Sequence, residues 1–108
     1  MKKLFVSVPM EGFNDKIIAA NILKMKKIAE AYEGEELDLI ESFIQEKPPE
    51  DCYWPVWYLG KSLEKLAEAD IFIGIDDTSG YKGCEIEALV ASRYGIKSYK
   101  VETSKLLY

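Results

Sequence analysis

Histidine is missing altogether from the 108 residues. Its absence removes Ser-His-Asp and Cys-His catalysis and any metal site built on imidazole, so acid–base chemistry has to rest on carboxylates, Tyr, Lys or Cys. Cysteine occurs only twice, as Cys52 and Cys84. The two make no C-x-x-C motif and no disulfide framework, and reduced thiols in a cytoplasmic protein are the plain expectation. Positive charge is scarce: 14 basic residues stand against 19 acidic ones, for a formal net charge of −5. No basic stripe of the kind a phosphate backbone requires is present, which argues against nucleic acid as a partner. A small anionic ligand stays open, because backbone N–H groups bind one whatever the net charge. Long apolar runs are lacking too. MKKLFVSVPM imitates a signal peptide, but its apolar run is short and no small-residue cleavage site follows. No segment is long enough to cross a bilayer, so no membrane association is expected.

What is present fits one domain over residues 1–108, with 48% hydrophobic and 31% charged residues around a single core. Lys3 to Val8 reads as a buried first strand, bounded by Pro9 and Gly12. Asn14 or Asp15 caps a helix to about Tyr32, on which Ile18, Ile22, Met25, Ala29 and Tyr32 form an apolar stripe that Gly34 stops. Leu37 to Phe43 reads as a weaker strand. After QEKPPED and the aromatic cluster CYWPVWYLG, Pro55 points to a helix starting near Trp57, with Leu59, Leu63, Leu66 and Ala69 as its stripe. Asp70 to Asp76 is apolar on both faces, as a central parallel strand is. A turn at Ser79 and Gly80 leads to a helix from about Cys84 to Tyr94, and Lys97 to Val101 closes the set as a strand.

Alternating strands and helices imply right-handed parallel βαβ units. The expected fold is therefore α/β, a three-layer Rossmann-like (flavodoxin-like) domain with four to five parallel strands in order 2-1-3-4. Ligands of such sheets bind beyond the carboxyl ends of the strands. The segments placed there are 7–13, 45–57 and 76–87, and they hold all the unusual composition.

Within GYKGCEIEAL, Glu85 and Glu87 point about 200° apart on a helix, so only one of them faces the crevice. If Ile86, Leu89 and Val90 face the core, Glu87 lies at the edge of that stripe and Glu85 nearer solvent, which makes Glu87 the candidate. The helix dipole alone also explains a carboxylate at either position. Asp76 and Asp77 end a central strand, although Asp is equally a turn residue. Trp57, with Tyr53, Trp54 and Tyr58, offers a stacking surface for a ring, or covers a core edge or a subunit interface. The loop SVPMEG matches neither the dinucleotide fingerprint nor the phosphate loop. No cofactor and no metal are expected.

The segments FVSVPMEG, WYLGKSLEKLAEAD and GCEIEALVASRYGI, in that order and spacing, resemble the nucleoside 2-deoxyribosyltransferase-like superfamily, and within it the small bacterial and phage branch. The resemblance runs from Lys3 to about Val101. It implies that a glutamate early in the last large helix attacks the anomeric carbon of a deoxyribose and displaces the base. The G-x-x-x-E pattern of the family falls on Gly83 and Glu87. The resemblance also implies that Ser7, Pro9, Met10 and Gly12 line the site of a small-molecule nucleoside or nucleotide, and that a neighbouring subunit of a homo-oligomer helps complete it. TSKLLY, without a place in the layers above, is a candidate for that contribution. Three positions depart from the family pattern. Ser62 replaces an aspartate, Tyr81 replaces Asp or Ser at a ligand contact, and Phe13 replaces an arginine used by phosphate-binding relatives. Asp76 or Asp77 is left to protonate the base. Two functions follow as expectations: cleavage or transfer at an N-glycosidic bond through Glu87, or non-catalytic binding of the same class of ligand.

Overall fold

The computed structural model describes residues 1–107. The chain runs β1 (Lys3–Val6), α1 (Asp15–Glu33), β2 (Asp38–Leu39), α2 (Trp54–Leu66), β3 (Ile71–Ile75), α3 (Lys82–Arg93), β4 (Lys97–Val101) and a 3-10 turn at Thr103–Lys105. All four strands are parallel, in the expected order β2-β1-β3-β4, with Phe5 opposite Phe72 at the centre. The fold is the three-layer, Rossmann-like α/β arrangement, and its sheet has four strands. No helix among the described residues is long and apolar enough to cross a membrane.

Strand alternation sends side chains to opposite faces, and the two halves of the core follow from it. Leu4, Val6, Ile71, Ile73 and Ile75 meet Ile18, Ile22, Met25 and Ala29 of α1. On the other face Phe5 and Phe72 stack, their ring centroids 6.0 Å apart, beneath Leu66 of α2 and Ala91 of α3. Gly74 lies on that second face. A Cβ there would sit 2.8 Å from Phe72 Cε1, so the Phe72 ring occupies the space that any larger residue needs. At the start of β3, the Asp70 carboxylate accepts from the Lys3 backbone N–H at 2.8 Å and so fixes the register of the central pair.

Local chemistry sets the helix ends. Asn14 Oδ1 accepts from Ile17 N–H at 2.9 Å to cap α1. Gly34, at φ 72°, ends the helix in a left-handed cap whose N–H donates to the Glu30 carbonyl. Several expected boundaries move. β1 ends at Val6 rather than Val8, although Ser7 N–H still reaches Ile73 O at 2.9 Å; Pro9 then has no N–H with which to continue a ladder. β2 is two residues long instead of seven. Ile40 N–H still pairs with Leu4 O, but Phe43 is exposed and the chain has left the sheet. Helix α2 starts at Trp54, three residues early, because Pro55 sits inside the first turn, where its missing N–H has no intrahelical partner to lose. Helix α3 starts at Lys82 rather than Cys84. Tyr32 is 63% exposed and is not part of the α1 stripe; it stacks on Tyr99 instead.

The C-terminal segment has a place after all. Leu106 is buried in the α1 face of the core. Asn21, itself buried, accepts from Leu107 N–H at 2.8 Å and donates to Leu107 O at 3.1 Å, as a neighbouring strand would. Tyr108 lies outside the described residues. At the opposite, amino-terminal edge of the sheet, Glu33 accepts from Lys97 at 2.6 Å, from the Tyr99 hydroxyl and from Lys2 at 3.4 Å. Lys97 first and Tyr99 second hold its carboxyl down at about 2.

Gly74→Ala should lower the unfolding free energy by about 1–3 kcal/mol, the range for overpacking a core, as read from urea denaturation. Glu33→Gln should destabilise the protein at pH 7. Because the Glu33 carboxyl sits at about 2 in the fold against an ordinary 4.5, its contribution is present above pH 4.5 and lost as pH falls toward 2. The gap between wild type and variant should therefore close over that window, as measured by urea midpoints at pH 7 and at pH 3.

Candidate functional site

Ser7 follows β1 in the extended run, and alternation places it on the same face as Phe5, under α3. It is 2% exposed. Helix α3 turns Cys84, Glu87 and Ala91 inward, one helical stripe at steps of three and four. The core-facing stripe therefore differs from the one expected. Leu89 is 53% exposed, and Glu87 sits within the buried stripe rather than at its edge, keeping 9% of its surface. Ser62 comes from α2, one turn before the buried Leu66. Ser7 Oγ donates to Glu87 Oε1 at 2.7 Å, and Ser62 Oγ donates to Glu87 Oε2. Each oxygen of the carboxylate thus takes one hydroxyl, and three separate elements meet on one side chain.

No cation faces Glu87 among the described residues. Burial pushes its carboxyl up from the ordinary value, and the hydrogen bonds from Ser62 and Ser7 pull the other way without cancelling the shift. A carboxylate held in this way is fixed in direction, poorly hydrated and more basic than one in water. Those are the properties of a nucleophile or a general base. Cys84, beside it, has its thiol pushed up to about 11 by burial, with a hydrogen bond to Ser7 opposing and the Glu87 charge reinforcing the shift. The thiol is therefore neutral near pH 7 and is no thiolate nucleophile.

The other sequence-derived positions lie at differing depths, and none of them is hydrogen-bonded to the Glu87 carboxylate. Glu85 is exposed in the first turn of α3. Asp76 accepts from Thr103 N–H at 2.9 Å and Thr103 Oγ1 at 2.8 Å, and the backbone donor first, then the hydroxyl, hold its carboxyl below the usual range. Asp77 Oδ1 accepts from Ser79 N–H at 3.0 Å in a local turn. The two aspartates thus organise the C-terminal segment and the β3–α3 turn, and neither hydrogen-bonds to Glu87. Pro9 is buried, whereas Met10 and Gly12 are exposed in a turn closed by Phe13 N–H on Met10 O. Tyr81 precedes α3 and packs against the core, and Gly83 lies in the open in the first turn. Trp57 is half-buried, edge-on to Tyr58, with the Lys61 ammonium 5.5 Å above its ring. Tyr53, Trp54 and Val56 are exposed on the same helix end, Trp54 to 61%.

The structure therefore brings Ser7, Ser62 and Glu87 together, and leaves Asp76 and Asp77 with other partners. The serine pair as ligands of the carboxylate was missed in the sequence. Its signal was Ser7 itself, a hydroxyl inside the apolar run LFVSV and in phase with Phe5. An open groove of about 510 Å³ lies beyond α3, between Gly74, Ser98 and Lys100 of the sheet and Glu85, Leu89 and Ser92 of the helix. A second of about 460 Å³ lies by Lys2, Asp70 and Lys97. Neither is lined by Ser7, Ser62 or Glu87. The chemically distinctive group is beneath the surface rather than in an open concavity, and the bonding around Glu87 outweighs the size of a groove in locating the site. Among the described residues no group of three or more Cys, Asp and Glu side chains is arranged to hold a metal ion. No protein-family model, no curated protein and no solved structure matches the chain.

Glu87→Gln should raise the thermal midpoint near pH 7.5 relative to wild type. The sign follows from the raised carboxyl. The fold favours its protonated form, so ionisation destabilises the native state once pH exceeds the ordinary carboxylate value. The advantage of the variant should shrink toward zero below that value, where both side chains are neutral. Calorimetric melts at pH 4 and pH 7.5 check both parts.

Proposed function

We propose that this protein cleaves or transfers at the N-glycosidic bond of a nucleoside or nucleotide, with Glu87 as the nucleophile. The observation that carries the reading is a buried carboxylate without a counter-cation, fixed by Ser7 and Ser62 near the carboxyl edge of a parallel sheet. The sequence resemblance supplies the ligand class. In the reaction, a Glu87 oxygen forms a bond to the anomeric carbon as the C–N bond breaks, and the bonding pair leaves with the base, which takes up a proton from solvent water. Water then opens the glycosyl ester in hydrolysis, or a second base does so in transfer. The serine hydroxyls orient the carboxylate and share its charge before attack, and one oxygen is released from that role as its lone pair is spent.

One observation favours a second reading, a non-catalytic module that binds the same class of ligand. Asp76, one of the two sequence-derived candidates for protonating the base, has its carboxyl held below the usual range by Thr103. A protein that binds without turnover has no need of that acid.

Incubation with a panel of nucleosides, deoxynucleosides and nucleotides, with free base followed by chromatography, separates the two. Under the leading reading the wild type releases base. Glu87→Gln loses that activity by a factor of at least about 10³ while keeping its fold and ligand binding, because a nucleophile acts chiefly in the transition state. Glu85→Gln stays within about threefold of wild type, since an exposed carboxylate at a helix start contributes only ~0.3–1 kcal/mol, to stability. Calorimetric binding with no base release across the panel selects the second reading. An inactive Glu85→Gln beside an active Glu87→Gln would overturn the assignment of the nucleophile.

A further inference from the structure

The loops at the carboxyl edge of the sheet differ from the rest of the chain in charge. Residues 7–13, 45–57 and 76–87 carry eight carboxylates and only two lysines, Lys47 and Lys82; the remaining residues carry eleven carboxylates and twelve basic side chains. The negative charge of the protein is therefore concentrated around Glu87. The one arginine, Arg93, is in the last turn of α3, at the far end of that helix from the carboxyl edge of the sheet. Lys61 points toward this region from α2, but it is committed to Glu46 at 3.0 Å and Glu64 at 3.5 Å and lies over the Trp57 ring.

A helix N-terminus is where a phosphate would otherwise find backbone donors and a favourable dipole. Carboxylates of this chain stand in the first turn of two of those ends and just before the third, although neither α2 nor α3 has a side-chain cap. Asp15 occupies the first turn of α1 and Glu85 that of α3, while Glu50 and Asp51 lead directly into α2. Glu11, Asp51 and Glu85 are exposed and form no ion pair among the described residues, so their charge is not neutralised locally. The groups bonded to the reacting carboxylate are hydroxyls, at Ser7 and Ser62, and Tyr81, just before α3, packs against the core.

We infer that the carboxyl edge of the sheet around Glu87 accepts neutral or cationic ligands and rejects phosphorylated ones. Within the reading proposed above, on which the identity of the ligand rests, it takes nucleosides rather than their 5′-phosphates. A phosphate dianion brought between these loops meets carboxylates from all three, with no guanidinium to hold it. An uncharged sugar and base meet hydroxyls and rings, and the surrounding field does not oppose their entry.

The test is calorimetric titration with the four 2′-deoxynucleosides and their 5′-monophosphates at about 10 mM and about 150 mM salt, between which the Debye length falls from about 30 Å to about 8 Å. Free base is followed by chromatography in the same samples. The nucleosides should bind at least about tenfold more tightly than the monophosphates at low salt, as expected where like charges are brought together. That gap should narrow at the higher salt, and also in the double variant Glu50→Gln/Asp51→Asn at low salt. Monophosphates that bind as well as nucleosides at low salt, or a gap indifferent to both salt and variant, overturn the inference. Preferential binding of nucleosides with no base released supports the charge selection and overturns the glycosidic reading. Equal release of base from monophosphates and nucleosides overturns the selection and leaves that reading standing. No binding by any member of the panel overturns both.

Discussion

The hydrogen bond from Ser7 to Glu87 joins positions 80 residues apart, and the arrangement of the carboxyl edge depends on it. Its geometry is inherited from the central strand pair. With Phe5 opposite Phe72 and Ser7 N–H bonded to Ile73 O, the serine side chain is committed to the α3 face. A slip of one residue would exchange it for Val6 or Val8 and leave Glu87 against an alkyl group. The same pairing places Gly74 beneath the Phe72 ring, so the sheet tolerates no bulk beside the serine. Ser62 then ties α2 to the carboxylate, and the two helices on that face are held both by the Leu66 and Ala91 contacts and by a shared anion.

The two ends of the sheet treat negative charge in opposite ways. At the amino edge, Glu33 gathers Lys97, Tyr99 and Lys2, and the fold favours its ionised form. At the carboxyl edge, Glu87 has only neutral donors, and the fold resists its ionisation. A lysine in place of Ser62 would relieve that resistance and would also quench the carboxylate's basicity. Stability and basicity pull against each other at this residue. Asn21 shows the alternative solution for a buried polar group: its amide N and O are each paired with the Leu107 backbone, one donating and the other accepting.

Much of this was legible in the sequence, because it was written in periodicity and punctuation. IFIGI and KLFV read as central strands, Gly34 as a helix stop, and the order of elements as a parallel sheet. Glu87 was separable from Glu85 by helix phase alone, even though the stripe inferred for α3 wrongly included Leu89. What was not legible depends on tertiary partners. LDLIESF has strand composition throughout, yet only Asp38–Leu39 forms β2, because an edge strand persists only where its neighbour offers free groups. Asn21 lies on the buried face of α1 among Ile18, Ile22 and Met25, but its amide has meaning only once residue 107 arrives beside it. Ser62 read as a departure from a family pattern. As a donor to Glu87 it is visible only when α2 and α3 are packed together.

The sheet ends laterally in two strands that have one neighbour each, β2 and β4, and open strand edges invite pairing with other chains. Each edge is guarded differently. β2 is too short to template a partner, and the segment beyond it turns away. β4 is long enough, but Lys97 and Lys100 stand along it, so a second copy laid against it would bring like charges together. The same lysine that anchors Glu33 is thus also one of the charges standing along the open edge. Replacing Lys97 would remove an ion pair and a guard against fibrillar self-association in one step.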